Sequence, residues 1–139
     1  MIRRVTAPGP FPPPVHPHAS VVEAGTRPAF LAGAVPPDAD GALVDAGAPV
    51  RQAGRVLAGL EEQLRAAGSD PAHAVPTGAY VVADDPAVLA AVRDVVEASG
   101  PSAGPHASPL LGVACPGHPG RAVEITATAV VPDAAAGAR

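Results

Sequence analysis

Alternation is clearest in the stretch "RAVEITATAVV". There Val123, Ile125, Ala127 and Ala129 alternate with Glu124, Thr126 and Thr128. A period of two sends successive side chains to opposite faces of a strand. The pattern predicts a strand with one apolar face. Its other face carries a carboxylate and two hydroxyls in a row, turned toward a cleft or a neighbouring subunit.

A helical period governs "APVRQAGRVLAGLEEQLRAAG". Val50, Ala53, Leu57, Leu60 and Leu64 fall on one stripe, while Arg51, Arg55, Glu62 and Arg65 are polar. Gly68 stands where a C′ glycine would end the helix. A second helix is expected in "AVLAAVRDVVEA", with Val88, Val92, Val95 and Val96 inward. Asp85 and Pro86 supply its N-cap and first residue, and Gly100 its end. Shorter apolar runs, "SVVEAG", "PAFLAGAVP", "HAVPTGAYVVA" and "SPLLGVA", read as strands bounded by Gly and Pro. The order is strand, strand, helix, strand, helix, strand, strand. It defines an α+β fold, a mixed sheet with two helices on one face.

Proline density sets the ends apart. "APGPFPPPVHP" favours extended, polyproline-like backbone, and "PDAAAGAR" lacks apolar periodicity. The expected division is a Pro-rich arm over residues 1–15, a single domain over 16–132 and a flexible tail over 133–139.

Composition alters this picture in two ways. Among 139 residues there are one Tyr, two Phe and no Trp, and the 47% hydrophobic fraction is mostly Ala, Val and Leu. Small side chains bury little area each, so added burial through oligomerisation is expected. Net charge is −4, with nine Arg and no Lys. Nucleic acid is therefore not favoured as a partner, and no lysine amine exists to form a Schiff base. The single Cys, Cys115, excludes an internal disulfide and fits a reducing compartment. No apolar run approaches transmembrane length and no signal peptide is evident, so a cytoplasmic protein without membrane contact is expected.

The ordered segments resemble those of the RidA/YjgF family of small imine deaminases. "PAFLAGAVPPDADGALV" is similar to the family's "LFLSGQIPxDxxG". "RQAGRVLAGLEEQLRAAGSDPAHAVPTGAYVV" is similar to its "TRQVLxNLxAxLEAAG" helix and following strand. "HPHASVV" stands where the family has "GPYSQAV", and "PHASPLLGVACPGHPGRAVEITATAVVP" where it has "PARSxVxVxxLPxxxxVEIEAIAV". The resemblance runs from about His16 to Pro132. It implies a chorismate-mutase-like domain, a homotrimer whose sheets form a central barrel, and small-molecule clefts between subunits. The implied chemistry is hydrolysis of enamines and imines to 2-oxo acids and ammonia, without a cofactor.

Carried over position by position, Glu124 matches the first Glu of "VEIEAIA" and Thr126 stands at the second. Gly33 matches the glycine of "SGQ", and Ser108 the serine of "PARS". Two further positions depart. Ala107 replaces the arginine that holds the substrate carboxylate in a bidentate pair. His18 replaces the tyrosine. Both departures fall in a tetrapeptide that occurs twice, Pro-His-Ala-Ser at 17–20 and 105–108. His18 and His106 thus join Glu124 as candidate proton-transfer groups, since imidazole titrates near neutral pH. Gly33, Ala107, Ser108 and Cys115 are the candidate substrate-binding positions.

Cys115 also admits a Cys–His nucleophile with His118, or simply a small buried hydrophobe. His16 and His18 with Glu124 are the one conceivable metal set, and none is expected. The reading is a Rid-like enzyme for a small reactive metabolite, an imine, enamine or activated carbonyl compound. It would act by hydrolytic deamination or a related proton transfer in a biosynthetic pathway. The alternatives are a non-catalytic small-molecule-binding trimer and an endoribonuclease.

Overall fold

The computed structural model describes residues 2–11, 17–37, 40–99 and 108–133. Its elements are β1 (Ile2–Val5), β2 (Ala19–Val22), β3 (Arg27–Phe30), α1 (Pro49–Ala66), a 3₁₀ turn (Pro71–His73), β4 (Ala74–Val81), α2 (Pro86–Glu97), β5 (Leu110–Gly112) and β6 (Val123–Val131). The architecture is the expected α+β, with one addition. Ile2–Val5, inside the segment expected as an arm, pairs antiparallel with β2 from Ile2↔Val22 to Val5↔Ala19. The Arg4 guanidinium fastens this hairpin to β4. It donates to Ser20 Oγ at 3.0 Å and to the Ala74 carbonyl at 3.0 Å. Burial there lowers the Arg4 pKa.

The main sheet has the order β3-β6-β4-β5. β6 is central and antiparallel to both neighbours, while β4 and β5 run parallel. Parallel neighbours need a crossover, and α2 supplies it. Both helices cover one face, where Val123, Ile125, Ala127 and Ala129 of β6 meet Val56, Leu57, Leu60 and Leu64 of α1 and Val92 of α2.

The helix ends follow the local chemistry. Asp85 caps α2 by accepting from the Ala87 N–H at 2.8 Å, with Pro86 next. After α1, Gly68 takes φ +78°, and the Ser69 N–H returns to the Leu64 carbonyl at 2.9 Å. One expected core position is corrected. Val50 is exposed, and Gln52 takes the inward place at 0% exposure. Its amide satisfies four backbone groups, which an apolar side chain could not do. Nε2 donates to the Val44, Asp45 and Gly120 carbonyls, and Oε1 accepts from the Ala122 N–H. Gln52 thereby ties the start of α1 to the loop that enters β6.

The run "PAFLAGAVP" is not one continuous strand. β3 pairs through Phe30↔Thr128, and the ladder resumes at Ala34↔Ile125. The β3 side thus carries one residue more than β6 over this interval, a bulge with Gly33 at φ +120°.

Candidate functional site

The sheet face away from the helices carries the chemistry. Register places Tyr80 of β4 opposite Glu124 of β6, Gly78 opposite Thr126, and Leu111 of β5 opposite Tyr80. Phe30 of β3 lies opposite Thr128 on the same face. Much of the apolar surface here is open: Phe30 is 78% exposed, Leu111 52% and Tyr80 38%.

Glu124 is half-buried, and its carboxylate makes no hydrogen bond or ion pair among the described residues. Two contacts shape its surroundings. Behind it the Gly33 bulge approaches so closely that a Cβ on Gly33 would lie 2.6 Å from Glu124 Oε1. The Gly33 carbonyl accepts from Gln63 Nε2 at 3.4 Å, which holds the bulge to α1. In front, Glu124 lines a cavity of about 240 Å³ with Tyr80, Val82, Val113, Cys115, Pro116, Gly117, Ala122 and Val123. A wider groove of about 530 Å³ adjoins it. The two share Val82, Cys115, Pro116, Gly117 and Ala122, and the groove extends to His118 and Arg121.

The candidates named from sequence divide into three groups. Glu124, Gly33 and Cys115 are brought together. Cys115 is exposed, so the reading of its thiol as a small buried hydrophobe is corrected. Cys115 lines the cavity and the adjoining groove and is not part of the core.

Ser108 and His18 are bound elsewhere. Ser108 Oγ accepts from Thr77 Oγ1 at 2.9 Å. Thr77 is a buried β4 position opposite Ala127, on the helix-covered side. His18 Nδ1 accepts from the Ala7 N–H at 2.9 Å, and Nε2 meets the Phe11 carbonyl at 3.1 Å. With Nδ1 accepting, the ring proton belongs on Nε2, where it is shared with that carbonyl. Both ring nitrogens are thus engaged with the backbone of the N-terminal segment. His106, Ala107 and His16 lie outside the described residues. Among the described residues no three His, Cys, Asp or Glu side chains are grouped to hold a metal ion, and no helix is long and apolar enough to cross a membrane.

Tyr80 and Arg121 were not singled out from sequence. Tyr80 alternates along β4 with buried Ala79 and Val81, which signals an open-face residue. Its pairing with Glu124 depends on register. Arg121 sits just before β6 in an irregular loop, where no periodicity marks it.

A mixed sheet under two helices, with a glutamate backed by a glycine bulge, defines a class of small α+β proteins. A family model described as Endoribonuclease L-PSP matches residues 10–131, and the chain belongs to that family, the Rid/YjgF proteins. YyfB from Yersinia pestis, a protein of unknown function of the conserved Rid family, is 34% identical. It matches over 93% of this chain and 98% of its own, with a TM-score of 0.81. NMB1025 from Neisseria meningitidis, a YjgF family member, is 27% identical over 96% of this chain and 98% of its own, with a TM-score of 0.59. TM0215 from Thermotoga maritima is 26% identical over 91% of each chain, with a TM-score of 0.63. No curated protein is a significant match.

Proposed function

We propose that the protein is a cytoplasmic Rid-type homotrimer whose clefts act on a small reactive metabolite, an imine, enamine or activated carbonyl compound. The observation that carries this reading is the uncommitted Glu124 carboxylate, which backs onto Gly33 and opens into a cavity large enough for a few heavy atoms. The exposed Phe30, Tyr80 and Leu111 on the same face support assembly there, since a small monomer gains stability by covering such residues with a second subunit.

Hydrolytic deamination follows from these groups. Glu124 accepts a proton from water as the water oxygen attacks the imine carbon, and the C=N electron pair moves to nitrogen. The proton passes to that nitrogen and gives a carbinolamine. Glu124 then takes the hydroxyl proton and returns it to the same nitrogen as the C=O bond forms and the C–N bond breaks, so a carbonyl compound and ammonia leave. The same carboxylate serves a related proton transfer next to a carbonyl in a biosynthetic sequence. Tyr80 walls the cavity. We assign His18 to ordering the N-terminal segment through both ring nitrogens, and His106 to assisting proton movement in the assembled trimer.

The replacement of the carboxylate-binding arginine by Ala107 favours a second reading, a trimer that binds small molecules without turnover. One experiment separates the two. An amine oxidase generates in situ an imine that has no carboxylate on the reacting carbon, and ammonia release is followed. Acceleration by the wild type, with Glu124→Gln losing about a hundredfold, is the expected result. Equal rates for Glu124→Gln and wild type would overturn the catalytic assignment. Ligand retention by a wild type that gives no acceleration supports the binding reading.

A further inference from the structure

The geometry points to Arg121 as an anion-binding residue that selects substrates whose negative charge lies several bonds from the reacting carbon. This inference rests on the reading of Glu124 as the proton-transfer group.

Arg121 is half-buried, lines the wider groove, and makes no hydrogen bond or ion pair among the described residues. A guanidinium in a partly desolvated groove is an unspent recognition element, because it offers a fork of donors matched to a carboxylate or phosphate. Among the residues lining the two connected spaces, the charged or titratable groups toward the groove are His118 and Arg121. Toward the cavity the acidic group is Glu124. Cys115, Pro116 and Gly117 form a floor common to both. The site is therefore polarised, cationic at one end and carboxylate at the other.

Spacing decides the substrate class. Glu124 lines the cavity and not the groove, and Arg121 lines the groove and not the cavity, so an anion held by Arg121 lies outside the space that Glu124 faces. In a 2-imino acid the carboxylate is attached directly to the reacting carbon. Such a molecule cannot place that carbon at Glu124 and its carboxylate in the Arg121 groove. A compound with an acid group at the far end of a short chain can span both.

The test uses unreactive ketones as product analogues, with dissociation constants measured by titration calorimetry on the full chain. The probes are 5-oxohexanoate, its neutral counterpart 2-hexanone, and pyruvate. The wild type should prefer 5-oxohexanoate to both others, and added salt should weaken that preference. Arg121→Gln should weaken 5-oxohexanoate binding by about tenfold or more, the value of a charge-assisted hydrogen bond. It should leave 2-hexanone and pyruvate unchanged, and Arg121→Lys should fall between. Unchanged pyruvate and 2-hexanone binding also serves as the control that the variant is folded. Equal affinity of the wild type for 5-oxohexanoate and 2-hexanone, or wild-type affinity in Arg121→Gln, overturns the proposal. Glu124→Gln should retain 5-oxohexanoate. If Glu124→Gln also keeps full turnover while Arg121→Gln loses binding, the catalytic reading fails and the anion site stands.

Discussion

Gly33 and Glu124 are packed so closely that no side chain fits between them. A Cβ on Gly33 would come 2.6 Å from Glu124 Oε1, at a backbone φ of +120° that other residues rarely adopt. Two separate penalties therefore attach to any substitution at Gly33. One is backbone strain, on the order of 1–3 kcal/mol, and the other is displacement of the carboxylate.

Gly33→Ala should lower unfolding stability by about 2 kcal/mol and remove most activity. A double-mutant cycle separates the two penalties. In Glu124→Ala the carboxylate is absent, so adding Gly33→Ala should cost only the backbone strain. If the two changes prove additive in denaturant unfolding, the contact does not exist in solution.

Gln52 offers a different kind of test, because its role is positional. Its amide holds three carbonyls and the Ala122 N–H, and it reaches from α1 to the loop that carries Arg121. Gln52→Leu has a similar volume but leaves these buried groups unpaired. At about 1–3 kcal/mol for an unsatisfied buried group, a loss of about 3 kcal/mol is expected. Urea unfolding measures it. Hydrogen exchange should show faster opening at Ala122 than at the Leu60 amide in the middle of α1. A uniform change at both sites would remove the claim that Gln52 orders this loop.

The Asp70–His73 pair makes stability depend on acid. Burial raises the Asp70 pKa, but the His73 hydrogen bond and charge and the Ala72 and His73 N–H groups outweigh it, so the net shift is downward. A lowered folded-state pKa means that Asp70 contributes stability above its ordinary value. That contribution is lost as pH falls through the depressed folded value, below about pH 4. Asp70 also caps the 3₁₀ turn before β4, accepting from Ala72 N–H at 2.8 Å. Asp70→Ala should cost about 1 kcal/mol at neutral pH. Asp70→Asn keeps a capping oxygen and should cost less, while flattening the acid limb of a Tm-against-pH curve. An unaltered acid limb in Asp70→Asn would exclude this carboxylate as its source.

Much of this was legible from residues alone. The α2 cap follows from Asp85-Pro86, and the end of α1 from Gly68, because both signals act over a few neighbouring residues. The apolar stripe of α1 was read correctly at Ala53, Leu57, Leu60 and Leu64. It failed at Val50, because periodicity does not register that four distant backbone groups converge on Gln52. The candidate site was read only in part. Glu124 and Gly33 were each matched to a family position, whereas the register that sets Tyr80 against Glu124 and the loop that carries Arg121 have no sequence signal of their own.

The chain by itself determined which face of β6 is apolar, where α2 starts and where α1 stops, and that the fold is α+β. Those properties arise from periods of 2 and 3.6 residues and from capping, which are local. Only the tertiary structure decided that Tyr80 stands opposite Glu124, that one extra residue at Gly33 presses on the carboxylate, and that Cys115 lines both the cavity of Glu124 and the groove of Arg121. Register and bulges depend on how far one strand slides along another before the core closes. That offset is set by helices packing on the far face and by loop closure, neither of which is written at the positions it brings together.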